Sequence, residues 1–196
     1  MKRVLFITCT LLLATLQGVF AQGNFGLVFP QSAENLPKSK APVPVCERKA
    51  FESRQTVLTP TSDGSLTLTD GWQMISAASL VEKDITVWNA ATTDGWYNAT
   101  VPGTVLTTLV EQQVYPDPYY GLNNLYIPET LCRQEWWYRI SFPTPERQED
   151  EQLSLLFNGI NYKAEVWLNK KCLGHIAGAF TRAEFPIDEV LKSEGD

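Results

Sequence analysis

The chain has 196 residues, of which 44% are hydrophobic and 11% aromatic, so it can bury enough apolar surface to form one domain of ordinary size. Its formal net charge is −6, whereas binding to nucleic acid would need clustered lysine and arginine side chains to replace phosphate counterions. The charge therefore argues against a nucleic-acid partner.

The N-terminus has the pattern of a secretory signal peptide over residues 1–21. Two basic residues begin it, an apolar stretch runs from Val4 to Leu16, and small residues ending at Ala21 precede the expected cleavage site. Polar residues interrupt this stretch, which is shorter than the roughly 20 apolar residues of a membrane-spanning helix. We therefore predict cleavage before Gln22, export to the cell exterior or periplasm, and no membrane anchor.

Residues 22–64 are expected to form a proline-rich leader. They show little apolar periodicity, and such segments are typically extended or poorly ordered. The prolines that carry this prediction are Pro30, Pro37, Pro42, Pro44 and Pro60. We expect the folded domain to occupy residues 65–196.

Short strand patterns dominate the remainder of the chain. The clearest starts at Leu66 and Leu68, where apolar and polar residues alternate before the turn at Asp70-Gly71. A single short helix is predicted where Thr104 precedes an apolar stripe that ends at Val110. Further strands are expected at Ile85 to Trp88, Trp96 to Val101, Trp136 to Phe142, Leu153 to Phe157, Tyr162 to Leu168 and Ala183 to Ile187. Many short strands without βαβ alternation predict an antiparallel β-sandwich.

Two of these strands indicate which residues face the core. From Ala164 to Asn169, aliphatic residues at the even positions alternate with polar or aromatic residues, so the aliphatic set is expected inside. The same alternation over Trp136 to Phe142 places Arg139 away from the core. There it is expected to pair with a carboxylate or to pack its stem over Trp137.

The sequence offers little for catalysis or metal binding. His175 is the single histidine, and no Gly-x-Ser-x-Gly turn accompanies it. Cys172 and His175 have a spacing seen at zinc sites, and Cys46 and Cys132 could complete a set, but structural zinc sites usually use two close ligand pairs. A hairpin is favoured instead, in which Asn169-Lys170-Lys171 turns the chain and Cys172 begins the returning strand. We predict no catalytic residue, metal or cofactor, and leave open which two of the three cysteines pair, if any.

Several motifs occur in a fixed order. They are Val101-Pro102-Gly103-Thr104-Val105-Leu106, then Val114-Tyr115-Pro116-Asp117-Pro118-Tyr119-Tyr120-Gly121-Leu122-Asn123-Asn124, then Trp136-Trp137-Tyr138-Arg139, then Phe157 to Asn169, then Leu173-Gly174-His175 with Gly178-Ala179-Phe180. In this order, from Asp70 to Leu191, the chain resembles the sugar-binding domain of family 2 glycoside hydrolases. The segment from Asp117 to Gly121 is more similar to the exo-β-glucosaminidase and β-mannosidase branch than to plain β-galactosidases.

The resemblance implies an all-β, antiparallel sandwich of the jelly-roll, galactose-binding-like type over residues 65–196, with one short helix and without its final strand. In such retaining enzymes, the acid/base and nucleophile glutamates lie in a (β/α)8 barrel that follows an immunoglobulin-like domain, which places them beyond Asp196. The expected function is that of a non-catalytic domain that helps to shape the sugar pocket of a secreted β-glycoside hydrolase. Its expected partners are a carbohydrate and the catalytic barrel.

The loop from Tyr115 to Pro128 carries the candidate site. Its prolines restrain the backbone and Gly121 permits a turn, so the loop is expected to be stiff without regular structure. Its polar side chains can donate to and accept from sugar hydroxyls. The predicted substrate-binding residues are Asp117, Tyr120, Asn123 and Asn124. The resemblance implies that this loop leans toward the barrel pocket, and the alternative is that Asp117 and the asparagines only cap local turns.

Two other functions are compatible with the sequence. The chain could be an independent carbohydrate-binding module that uses Trp96, Trp137 or Tyr120 as a stacking platform, or a purely structural domain. Asn98-Ala99-Thr100 also forms an N-glycosylation acceptor sequence, which would mark a surface position.

Overall fold

Short strands that pair with antiparallel neighbours are the main regular elements among the described residues. A computed structural model describes residues 45–80, 87–89, 91–146 and 150–192. The strands are β1 (Thr59–Pro60), β2 (Leu66–Thr67), β3 (Gln73–Ser76), β4 (Tyr97–Asn98), β5 (Trp136–Arg139), β6 (Ser154–Phe157), β7 (Lys163–Leu168), β8 (Lys171–Ala177) and β9 (Ala183–Pro186). An α-helix, α1 (Val105–Glu111), and short 3₁₀ helices at Ala77–Ser79, Asn123–Tyr126 and Glu129–Arg133 also lie among the described residues. The pairs are β1–β2, β3–β4, β3–β5, β6–β9 and β7–β8, all antiparallel. The predicted all-β class with antiparallel strand pairs and a short helix is confirmed.

The central strand β3, like the short β1 at Thr59–Pro60, is a strand that the sequence pattern did not predict. It lies between β4 and β5, with Met74 opposite Tyr97 on one side and Tyr138 on the other. Met74 and Ile75 are adjacent in sequence, yet both are buried, at 0% and 2% exposure. A short strand that is covered on both faces has no apolar alternation, which explains why a search for period-two patterns missed it.

The core beside this sheet is aromatic and aliphatic. Ile75, Leu80, Val87 and Trp96 form one buried cluster, and Trp137 packs against it from β5. Val87 and the following Trp88 are helical, although a strand was predicted there; the first two residues of that predicted strand lie outside the described ranges.

The β7–β8 hairpin follows the predicted pattern closely. Asn169 and Lys170 form its two-residue turn, with φ values of 49° and 69°. Lys171, which was expected in the turn, is instead the first residue of the returning strand β8. Two consecutive positive φ values are typical of the tight hairpin turn whose twist matches that of the flanking strands. Val166 is buried while Glu165 and Trp167 are exposed, which confirms the predicted faces of β7.

Gly174 in β8 shows how closely this hairpin approaches β9. A Cβ atom built there would lie 2.7 Å from the ring of Phe185, which itself packs edge-to-face on Phe157 with ring centroids 6.1 Å apart. Because no side chain fits at that distance, glycine is needed for the close packing of the two strands.

Helix α1 begins where the sequence predicted. The side chain of Thr104 accepts a hydrogen bond from the backbone N–H of Thr107, and Leu109 is buried at 2% exposure. Thr108 is also buried, and its hydroxyl accepts from the backbone N–H of Thr100 at 3.1 Å, which joins the helix to the chain that leaves β4. Satisfying the helix terminus in this way stabilises a helix of only seven residues.

The segment before residue 65 contributes to the fold. The backbone N–H of Lys49 donates to Gln112 O at 3.0 Å, Phe51 packs against the core cluster, and β1 pairs with β2. Residues 49–60, which we expected within the leader, therefore contact the folded domain. The predicted signal peptide and the leader up to residue 44 lie outside the described residues, and the described part of the chain has no helix that is long and apolar enough to span a membrane.

Arg139 departs from its predicted environment. Its guanidinium lies 3.7 Å from the ring centroid of Trp96, a residue with 0% exposure, instead of packing over Trp137. Burial lowers the pKa of Arg139 to about 10, so the side chain stays charged at neutral pH. The prediction that Arg139 points away from the core is wrong, because the face that it shares with Trp137 is the one that packs against the core cluster containing Trp96.

Candidate functional site

The loop that carries the predicted site residues begins at the end of α1. Gln113 adopts a left-handed φ of 57°, and the backbone N–H groups of Val114 and Tyr115 both donate to Leu109 O, at 2.8 and 3.4 Å. This arrangement caps the helix and turns the chain away from it. The start of the loop is therefore held to α1 by backbone hydrogen bonds.

Asp117 and Asn123 hold the loop together from within. The Asn123 side-chain amide donates to Asp117 O at 2.9 Å, and the carboxylate Oδ1 of Asp117 accepts from the backbone N–H of Tyr119 at 2.9 Å. Asn123 is buried, at 8% exposure, whereas Asp117 is exposed. These contacts agree with the turn-capping alternative for two of the four predicted residues.

Tyr120 and Asn124 are exposed on the same loop. Tyr120 is 73% exposed, and its backbone joins the turn by donating to Asp117 O at 3.2 Å and accepting from the N–H of Asn123 at 3.2 Å. Asn124 lies in a short 3₁₀ helix, Asn123–Tyr126, and its carbonyl accepts from the N–H of Ile127 at 3.3 Å. The prediction that the loop lacks regular structure is therefore wrong for this part of it. Their backbones are thus fixed while their side chains remain open to solvent.

Tyr119 was overlooked as a candidate although it stands in the motif. It is 96% exposed, more than Tyr120, and its own N–H is held by the Asp117 carboxylate. The signal that could have found it is the Tyr-Tyr pair that follows two prolines, since a turn there leaves both rings outside. The loop therefore presents two phenol rings, one amide and one carboxylate, all on a backbone closed by internal hydrogen bonds.

The alternative stacking platforms differ sharply in exposure. Trp96 is completely buried and Trp137 is half-buried against the core cluster, so neither offers a free ring face of the kind the carbohydrate-binding-module hypothesis requires. Tyr120 remains as the exposed member of the three. An open depression elsewhere, lined by residues 48–51 and 93–95, contains none of the four predicted site residues.

The cysteines and the histidine do not form a metal centre in the described ranges. Cys46, Cys132 and Cys172 are all free thiols, and no group of three or more possible ligands from histidine, cysteine, aspartate and glutamate occurs among the described residues. His175 instead pairs with Glu165 across the β7–β8 hairpin.

Comparison with known proteins relates this chain to one family. The model of the "Glycosyl hydrolase 2 galactose-binding domain-like" family matches residues 72–196. A mannosylglycoprotein endo-beta-mannosidase from Lilium longiflorum is 35% identical over 142 residues, which are 67% of this chain and 15% of that protein. An exo-beta-D-glucosaminidase from Streptomyces avermitilis is 29% identical over 143 residues, 71% of this chain and 16% of that protein. A beta-mannosidase from Rattus norvegicus is 34% identical over 95 residues, 48% of this chain and 11% of that protein. The chain therefore spans a small part of the length of these relatives.

Proposed function

Because the chain belongs to the galactose-binding domain-like family of glycosyl hydrolase 2, we propose that it is the non-catalytic N-terminal domain of a secreted β-glycoside hydrolase, here called the parent hydrolase. In this proposal the loop from Tyr115 to Pro128 forms part of the pocket for the sugar ring that is released. The catalytic carboxylates are supplied by a barrel domain, which is the domain's partner. Export depends on the predicted signal peptide over residues 1–21.

The proposed substrate class is a β-linked hexoside or hexosaminide. This part of the proposal is supported by the activities for which the relatives are named, since they are an endo-beta-mannosidase, an exo-beta-D-glucosaminidase and a beta-mannosidase. Hydrolysis of such a bond uses two carboxyl groups that face each other across the scissile bond, about 5 to 10 Å apart. The domain's own contribution is to hold the sugar in place.

The single observation that supports the pocket role is the construction of the loop. Asn123 is buried and ties its amide to Asp117 O, so it acts as the residue that positions the loop. Tyr120 and Asn124 are exposed on that fixed backbone, as is the carboxylate of Asp117. Rigid backbone with exposed donors and acceptors is what recognition of sugar hydroxyls requires, because little conformational entropy is lost on binding.

Alanine replacements at Asn123 and Asn124 distinguish a sugar-binding role of the loop from a purely structural role. In the parent hydrolase, Asn124→Ala should lower kcat/KM about 10- to 100-fold, which corresponds to roughly 1 to 3 kcal/mol of transition-state stabilisation, with Tm unchanged. Asn123→Ala should lower the free energy of unfolding by about 1 kcal/mol because the loop loses the hydrogen bond from the Asn123 amide, one of the two donors to Asp117 O. The measurements are steady-state kinetics on an aryl β-glycoside and thermal unfolding of both variants. Unchanged kcat/KM in Asn124→Ala, together with loss of stability in Asn123→Ala, would make the loop a scaffold only.

A further inference from the structure

The exposed face of the β7–β8 hairpin carries a cluster that the proposed function does not use. In the hairpin register Glu165 lies opposite His175, and Trp167 lies opposite Cys172. All four residues are exposed. Three of them, Glu165, Trp167 and His175, form what we name the hairpin cluster.

The Glu165 carboxylate links the other two side chains of the hairpin cluster. Its Oε1 lies 3.7 Å from His175 Nδ1, and its Oε2 accepts from Trp167 Nε1 at 3.4 Å. The side chains of His175 and Glu165 are 69% and 58% exposed, so both keep free surface for further hydrogen bonds. The carboxylate therefore orients an indole and an imidazole on the same flat surface.

Trp167 is supported from one side. Its ring meets that of Trp88 edge-to-face, with centroids 6.2 Å apart and an interplanar angle of 62°. Trp88 is half-buried and packs against the core cluster, whereas Trp167 remains 38% exposed. The indole is thus fixed in orientation through Trp88 and still open on the side that Trp88 does not cover.

A pyranose ring matches this arrangement chemically. One of its faces presents C–H groups that pack on an aromatic ring, while its rim presents hydroxyls that need donors and acceptors at the edge of the ring. The carboxylate of Glu165 accepts from hydroxyls and the imidazole of His175 can donate or accept. Because the platform is already oriented, binding loses little side-chain entropy.

We propose that the hairpin cluster is a second carbohydrate-binding surface, which holds one pyranose ring of a β-linked oligosaccharide by stacking on Trp167 and hydrogen bonding to Glu165 and His175. This surface shares no residue with the loop of the proposed pocket. Its role is to hold a distant part of a polymeric substrate, and it therefore works whether or not the loop contributes to catalysis.

The test is direct binding of defined oligosaccharides to the full 196-residue chain. The probes are the β-1,4-linked hexamers of mannose and of glucosamine, measured by calorimetry and by saturation-transfer NMR of the ligand, neither of which depends on tryptophan fluorescence. Saturable binding of at least one hexamer is expected. Trp167→Ala should raise Kd about tenfold or more, a loss that corresponds to about 1.4 kcal/mol, and Trp167→Phe should retain part of the affinity. Glu165→Gln should weaken binding by a smaller factor.

Phe180→Ala provides the matched control. Phe180 is an aromatic residue with 99% exposure outside the cluster, so its loss should leave Kd unchanged. Glu165→Gln keeps the test decisive if Trp167→Ala fails to fold. The proposal is overturned if neither hexamer binds in the millimolar range, or if Trp167→Phe and Glu165→Gln both bind like the unaltered chain. It is also overturned if Trp167→Ala disrupts only the association of this domain with the catalytic barrel, which would make the face a protein interface.

Discussion

Arg139→Ala should lower the free energy of unfolding by about 2 to 4 kcal/mol, the range reached when a buried hydrogen-bond network is broken. The acceptors of the guanidinium include Gln73 Oε1 at 2.7 Å, Val87 O at 3.3 Å, Asn89 O at 2.8 Å and Thr92 O at 2.6 Å. Three of these are carbonyls of the segment between β3 and β4. Removal of the side chain leaves them without this donor and also uncovers the ring of Trp96.

Two other arginine variants make the Arg139 prediction specific. Arg139→Lys keeps the charge but cannot present five donors in a planar fork, so it should recover only part of the lost stability. Arg54 forms an exposed ion pair with Glu52 at 3.1 Å, and Arg54→Ala should change stability by less than about 0.5 kcal/mol. Chemical denaturation of the three variants measures these differences. If Arg139→Ala unfolded at the same denaturant concentration as Arg54→Ala, the central position given to Arg139 would be incorrect.

Asn98→Ala should lower the free energy of unfolding by about 2 kcal/mol. Asn98 is buried at 6% exposure, and its side chain binds the backbone of Glu52 twice: Nδ2 donates to Glu52 O at 2.6 Å, and Oδ1 accepts from Glu52 N at 2.9 Å. Both backbone groups lose their partner in the variant, which costs about 1 to 3 kcal/mol per group where water cannot replace it. Asn158→Ala, at an exposed position, is the control and should be within about 0.5 kcal/mol of the unaltered chain.

The same contacts make the acceptor sequence at Asn98 a poor glycosylation site. A glycan would have to replace a hydrogen of the amide that donates to Glu52 O, and it would have to leave through a buried position. We therefore expect intact-mass measurement of folded, exported protein to find Asn98 unmodified. A glycan at Asn98 in protein of full stability would contradict the assigned role of this side chain. An acceptor sequence marks a surface position only where a glycan is added, and Asn98 is buried.

Local patterns predicted the elements that depend on local physics. The Thr104 cap, the exposed and buried faces of β7 and the turn at Asn169 all follow from neighbouring residues, and the structure confirms each of them. Capping needs one side chain within a turn of the helix, and a two-residue hairpin fixes its own register. Ordered motifs along the chain were sufficient to indicate the family, because its domain model matches residues 72–196.

Contacts between residues that are far apart along the chain could not be predicted from the sequence patterns. The acceptors of Arg139 lie 47 to 66 positions away, and Asn98 reaches Glu52 across 46 positions. Period-two alternation places a side chain on one face of a strand but does not say whether the opposite face is covered. For the candidate loop, the residue types predicted polar side chains, yet only the fold distinguishes buried Asn123 from exposed Asn124.

A crystal structure of the parent hydrolase with a bound sugar-like inhibitor tests whether the loop from Tyr115 to Pro128 forms part of a sugar pocket. We expect Asp117, Tyr120 or Asn124 to place a polar atom within hydrogen-bonding distance, about 3 Å, of an inhibitor hydroxyl. Asn123 should keep its hydrogen bond to Asp117 O. An inhibitor held entirely by other residues, with this loop facing bulk solvent, would contradict a pocket role for the loop.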